Sequence, residues 1–258
     1  MKILPTIGPV SEKNYNLKKI LNISDIVRIN GSHNTISCHQ NISKKIKKIN
    51  FNSRILLDIP GVKPRTKNNK NILIKKNQLV FFTFENMKKS SKLLNINCSN
   101  KLPKKINRSK LLSLDDGKYL FKIIKIFKKA ILTKSSESFI LKPNKGLNIP
   151  FAVYDDAYQK KQYNYFLRQS KKINYDAIGL SYVQSGKIVQ NIRKNYPNKI
   201  IISKIENLEG LNNHKEIINN SDAIMIDRGD LSAEAGDENL YLSILKITEE
   251  TKKKGKPL

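Results

Sequence analysis

Short apolar runs alternate along the chain with longer stretches whose apolar positions recur at helical spacing. The runs are ILPTIG (3–8), DIVRIN (25–30), RILLDIP (54–60), AIGLSYV (177–183), KIIISKIE (199–206) and AIMIDRGDL (223–231). Each predicts a strand. Between most of them lie SEKNYNLKKILN (11–22), TISCHQNISKKIKKIN (35–50), SGKIVQNIRKN (185–195) and EGLNNHKEIINN (209–220), whose spacing predicts amphipathic helices. Strand and helix in regular alternation imply a mainly parallel sheet.

Residues from about 66 to 145 break that rhythm. FFTFE (81–85), the DDGK turn (115–118), and KYLFKIIKIF (118–127) followed by AILTK (130–134) predict β-hairpins with no long helix between them. The β-α pattern resumes after GLNIPF (146–151). The expected division is therefore a first part of a parallel-sheet domain at 1–65, an inserted β module at 66–145, and the rest of the domain at 146–258. A small module inserted after the third strand suits a lid.

The strand ends carry the candidate chemistry. Side chains two apart share a strand face, so Ile26, Arg28 and Asn30 are expected to point together. The same spacing groups Leu56 with Asp58, Ile202 with Lys204 and Glu206, and Ile226 with Arg228 and Asp230. Each set turns from apolar to polar at its C-terminal end. Burying Lys204 or Glu206 alone costs several kcal/mol, so each needs the other, a metal or a ligand. A structural ion pair would satisfy one strand taken alone. Four strands doing this at one end indicate a shared cleft, which parallel α/β sheets place at their C-terminal strand ends. Arg28 and Lys204 suit neutralisation of a transferring phosphoryl group, and Glu206 and Asp230 are hard oxygen ligands for Mg2+.

Composition narrows the class. A chain of 258 residues has room for one large α/β domain, or for one carrying an inserted module, and its 39% hydrophobic content can build a core along most of the length. No uninterrupted apolar segment reaches the roughly 18 residues needed to span a bilayer. The opening MKILPTIGPV lacks a signal-peptide core, so a cytoplasmic protein is expected. The formal charge of +28 invites a nucleic-acid partner. The lysines, however, are scattered among asparagine and isoleucine, with no arginine block interleaved with aromatics, which describes a solvated surface instead. Such a surface attracts nucleotides and phosphorylated acids. Cys38 and Cys98 show neither disulfide nor zinc-ligand spacing and are expected to be inert thiols. His39 and His214 fall in stretches expected to be solvated helix faces, no nucleophilic triad is apparent, and no Walker-type phosphate loop occurs.

With these motifs in hand, the chain resembles pyruvate kinase. TIGP (6–9), VRINGSH (27–33), LLDIPGVKPRT (56–66), DDG (115–117), KGLNIP (145–150), IISKIENLEGLNN (201–213) and IMIDRGDL (224–231) occur in the family's order and at its approximate spacing. SKIEN and RGDL are the most specific of them. The resemblance implies a (β/α)8 TIM-type barrel with a β-rich lid after the third strand. Six of the eight strands are expected here, since the family continues past GKPL (255–258) into a seventh strand with a threonine motif, an eighth strand and a C-terminal domain. It implies transfer of the phosphoryl group of phosphoenolpyruvate to ADP, giving pyruvate and ATP, with Mg2+ or Mn2+ and often K+. A homo-oligomer is expected of the full-length family.

Carried over by motif, the resemblance assigns Arg28 to the phosphate of phosphoenolpyruvate and Lys204 to the transferring phosphoryl group and enolate. It gives Glu206 and Asp230 to Mg2+, and the Gly229 backbone, beside Asp230, to the substrate carboxylate. Arg65, His33, Asn30 and, by a looser match, Lys161 would serve the nucleotide. Asn30, Ser32, Asp58 and the carbonyl of Ile59 would form a monovalent-cation site. Members that need potassium usually carry glutamate where this chain has Lys63, so the Lys63 ammonium is expected to replace K+.

Departures from the family pattern are Pro60, Val62 and Pro64 in the turn after the third strand, and Asp227 where a small residue is usual. Three explanations of the chain's extent stay open: an incomplete reading frame, a short protein completed by a second chain, and a degraded remnant. Two other functions stay open as well. One is binding of phosphoenolpyruvate or nucleotide without turnover, and the other is a related barrel enzyme acting on another enolisable acid.

Overall fold

A computed structural model of the chain describes residues 3–84, 93–106 and 109–258; Glu85, which closes the FFTFE segment, lies outside them. Strands β1 (Thr6–Ile7), β2 (Ile26–Asn30) and β3 (Arg54–Ile59) come first. Then follow β4 (Ile72–Ile74), β5 (Leu79–Thr83), β6 (Leu94–Asn97), β7 (Leu111–Leu114), β8 (Tyr119–Phe127), β9 (Ala130–Ser135), β10 (Phe139–Leu141) and β11 (Leu147–Asn148). The chain ends with β12 (Ala177–Leu180), β13 (Ile200–Ile205) and β14 (Ala223–Ile226). Helices α1 (Asn14–Ile23), α2 (Ile36–Ile49), α3 (Asp156–Gln169), α4 (Gly186–Asn195), α5 (Leu208–Asn212), α6 (His214–Asn220), α7 (Arg228–Ala235) and α8 (Asp237–Lys253) lie around the first and last groups. Among the described residues no helix is long and apolar enough to cross a membrane.

Strands β1, β2, β3, β12, β13 and β14 pair in that order, all parallel, as the β-α rhythm predicts for an incomplete α/β barrel. Period-two alternation sorts their side chains into two layers. Val27, Ile29, Ile55, Leu57, Ile178 and Ile201 face outward onto Leu17, Leu21, Ile42, Ile46, Ile188 and Ile192 of the helices. Each such burial contributes roughly 1.5–3 kcal/mol. The inner face is a smaller cluster in which Leu56, Ala177 and Ile202 pack with Ile26, Ala223 and Met225.

The last strand corrects the sequence reading. Ile226 packs in the outer layer while Ala223 and Met225 face in, so the inward phase runs 223, 225, 227 and not 226, 228, 230. The strand also ends at Ile226. The Asp227 side chain accepts from the Asp230 N–H and starts α7, which leaves Arg228 and Gly229 exposed on its first turn. The two histidines read as solvated are buried as well. His39 lies on the stripe with Ile42 and Ile46, and His214 with Ile217 and Ile218, so helical spacing carries each ring inward. Burial lowers the pKa of both.

Strands β11, β7, β8, β9, β5 and β6 form a second sheet, and β4 pairs with β10. Its central hairpin β7–β8 turns through Asp115, Asp116 and Gly117 at φ of 56°, 55° and 90°, a left-handed path these residue types tolerate. Phe82, Phe121, Leu112 and Ile131 form its core, and Val62 and Tyr182 from the loops after β3 and β12 pack into the same cluster. The second sheet is therefore seated on the C-terminal ends of the parallel strands. Gly61 makes the approach possible, since a Cβ there would lie 2.2 Å from the carbonyl oxygen of Ser181.

Candidate functional site

A cleft of about 380 Å³ opens where those strand ends meet the second sheet. Its lining includes Arg28, Asn30, Ser32, Lys63, Arg65, Ser181, Lys204, Glu206, Asp227 and Asp230. The four inward-pointing charges, Arg28 on β2, Asp58 on β3, Lys204 on β13 and Glu206 just past it, converge there as the alternation predicts.

Asp58 is the centre of the arrangement, with its side chain 1% exposed. Its Oδ2 accepts from Arg28 Nε at 2.8 Å and Nη2 at 2.5 Å, and from Lys204 Nζ at 3.2 Å; its Oδ1 accepts from Ser181 Oγ at 2.9 Å. Gly179 on the neighbouring strand leaves room, because a Cβ there would stand 3.2 Å from Asp58 Oδ1. Lys204 also pairs with Glu206 Oε1 at 2.8 Å, while Glu206 Oε2 accepts from the Tyr182 N–H at 2.5 Å. Burial would strip Lys204 of its proton, but the Glu206 and Asp58 carboxylates outweigh it and hold the ammonium well above its ordinary pKa. Burial raises the Glu206 carboxyl, and Lys204 pulls it the other way.

Lys63 does not lie on Asn30, Ser32 or Asp58. Its ammonium bonds to Asp230 of α7 and, at 2.9 Å, to Asp116 of the β7–β8 turn. The two carboxylates outweigh burial and raise the Lys63 pKa. The other residues named for a monovalent cation make bonds within the protein: Asn30 Oδ1 accepts from the Ser32 N–H and the Ile59 carbonyl from the Ser181 N–H.

Arg65 lines the cleft and donates to the Asn144 carbonyl. His33 and Lys161 are exposed and do not line it; from α3 the cleft takes Gln162, Tyr165 and Phe166 instead. Asp230 reaches it from the first turn of α7, with Gly229 beside it on the exposed side. Two further residues escaped the sequence reading. Ser181 continues the inward phase of Ala177 and Gly179, and Asp227 that of Ala223 and Met225. Counting in twos from the apolar inner residues finds both.

One carboxylate oxygen from each of Glu206, Asp227 and Asp230 lies within 4.8 Å of the others. Hard oxygens at that spacing suit a divalent cation such as Mg2+ or Mn2+. The cluster already accepts positive charge, since the Lys63 ammonium stands on Asp230.

Glu234 lies buried near this cluster, accepting from Tyr182 Oη at 2.7 Å and Asn148 Nδ2 at 3.4 Å. Burial pushes its carboxyl up to about 7, against the pull of those two hydrogen bonds. The folded chain thus holds this proton more tightly than the unfolded chain, and the stability it confers is lost as pH rises from the ordinary carboxylate range through about 7. Between about pH 5 and 8 the wild type is expected to lose up to roughly 3 kcal/mol more than Glu234→Gln, measured as urea-unfolding free energies. Parallel curves for the two proteins would contradict this assignment.

The sequence model of the pyruvate kinase barrel domain matches residues 1–258. Pyruvate kinase of Buchnera aphidicola subsp. Schizaphis graminum is 36% identical, over 93% of this chain and 53% of that protein. That of Thermococcus litoralis is 28% identical over 100% of this chain and 56% of its own length. A cytosolic isozyme from Nicotiana tabacum is 26% identical over 100% of this chain and 54% of its own. The chain spans about half the length of these relatives.

Proposed function

We propose, from the premise that this chain belongs to the pyruvate kinase family, that its cleft serves transfer of a phosphoryl group from phosphoenolpyruvate to ADP, giving pyruvate and ATP. The observation that carries the reading is the convergence of Arg28, Lys204, Glu206 and Asp230 on one cleft at the C-terminal strand ends.

Arg28 spends three of its five N–H donors on Asp58 and Thr6 and so is fixed in place. Its remaining donors are available to the substrate phosphate. Lys204, held ionised by Glu206 and Asp58, neutralises charge that develops on the transferring group and on the enolate oxygen. Glu206 and Asp230 would hold Mg2+ or Mn2+, which would supply Lewis-acid charge neutralisation when bound. The Gly229 backbone takes the substrate carboxylate. Arg65 and Asn30 attend the nucleotide from the cleft lining, and His33 and Lys161, which do not line it, would have to reach the nucleotide from outside. The inserted segment expected at 66–145 would act as a lid that excludes water and so protects the phosphoryl group from hydrolysis. On this reading the protein works in the cytoplasm on phosphorylated small molecules, and neither nucleic acid nor membrane is a partner.

The Lys63 ammonium adds a fixed positive charge to the same cleft, so turnover is proposed to need no K+. Adding KCl to a sodium-free assay is expected to change the initial rate by less than about tenfold, equivalent to 1.4 kcal/mol of barrier. A larger rise would restore the monovalent-cation role to Asn30, Ser32, Asp58 and Ile59.

The reading is tested by measuring pyruvate release from phosphoenolpyruvate with ADP and Mg2+ together and with each omitted. Release that needs both supports it. Tight phosphoenolpyruvate binding without release would favour a binding protein, and release independent of ADP a different enolisable-acid reaction.

A further inference from the structure

We infer that Asp227 is a third carboxylate ligand for the divalent cation of this cleft; the inference rests on the proposal above that the cleft holds such an ion.

The inward phase of β14 is the first support. Ala223 and Met225 face the inner cluster, and the next position in phase is Asp227, which lines the cleft. Asp227 thus stands just past the end of β14 as Glu206 stands just past the end of β13: a charged residue that continues an inward row at its C-terminal end. Asp230 arrives from a helix.

Charge pairing is the second. Glu206 carries Lys204 at 2.8 Å, and Asp230 carries the largely buried ammonium of Lys63. Among the described residues Asp227 has no ion pair, and its hydrogen-bond donor is the Asp230 N–H at 3.4 Å. Three carboxylates facing two lysines leave one negative charge unmatched beside the site. The Lys63 ammonium also shows a cation seated on this cluster, independently of the carboxylate spacing.

Geometry is the third. Oxygens within 4.8 Å of one another need draw in by only about half an ångström to share one ion at the roughly 2.0–2.1 Å ligand distances of Mg2+. With Lys63 competing for Asp230, a ligand that bears no lysine gives an arriving ion its most accessible charge.

The test reads metal binding, not turnover. Mn2+ is titrated into the full chain without substrate, with free Mn2+ followed by electron paramagnetic resonance, for wild type, Asp227→Asn, Asp227→Ser, Glu206→Gln and Asp230→Asn. Asparagine and serine both keep a helix-capping oxygen at 227, so metal-free unfolding midpoints near wild type show that the fold is intact, and either variant suffices if the other fails to fold. The expected result is a loss of Mn2+ affinity of about fivefold or more on removing the Asp227 carboxylate. A smaller loss at 227, with large losses at 206 and 230, overturns the role of Asp227 and leaves the cation site standing. Wild type that binds no Mn2+, or binding indifferent to all three positions, overturns both.

Discussion

Replacing Asp58 by alanine is expected to destabilise the chain by roughly 3–5 kcal/mol, because it strips a common acceptor from buried cations. Arg28, Lys204 and Ser181 all donate to this one carboxylate, whose side chain is 1% exposed. Lys204 would retain Glu206, but Arg28 would lose both of its bonds to a carboxylate and keep only Thr6. Asp58→Asn preserves the volume and one acceptor oxygen, so its cost should fall between wild type and alanine. Urea-unfolding midpoints at pH 7 decide the matter. A loss below about 1 kcal/mol for alanine would mean that water replaces the carboxylate and that the cluster is looser than its geometry indicates.

Lys204→Met is expected to lower phosphoryl transfer by about 100- to 1000-fold, the range found when one preorganised stabiliser of developing charge is removed. Methionine keeps most of the length and volume, so the change isolates the charge. On the proposed function the loss should appear in kcat more than in KM for phosphoenolpyruvate, because Arg28 would still hold the phosphate while Lys204 would act on charge that grows along the reaction. Equal rates in the two proteins would remove Lys204 from the chemistry. A shift confined to KM would reassign it to substrate binding.

Much of this site was legible in the sequence for a simple reason. A strand has a period of two, and polar residues that recur at every second position, as Arg28 and Asn30 or Lys204 and Glu206 do, mark the phase that faces the cleft and place Asp58 with them. On β14 the same rule fails when counted from Ile226, which belongs to the outer layer. AIMI is apolar at every position and offers no contrast by which to choose a phase. A capping signal was present all the same: Asp227 followed three residues later by Asp230 marks a helix start, and it would have stopped the strand before Arg228. Polarity alone suggests that both histidines are solvated, but spacing says otherwise: His39 stands three and seven residues before Ile42 and Ile46 on one helical stripe. The partners of Lys63 could not have been read at all. Asp116 and Asp230 lie 53 and 167 residues away, and only the seating of one sheet on the other brings them together.

That bridge has a thermodynamic consequence. Lys63 ties Asp116, on a hairpin turn of the second sheet, to Asp230 at the strand ends. A divalent ion that drew Asp230 to itself would take one anchor from the tie, so ion binding and the seating of the upper sheet would share a coupling free energy. Such a coupling would be reciprocal: holding Lys63 on Asp230 would weaken the hold on the ion by the same factor as the ion loosens that contact.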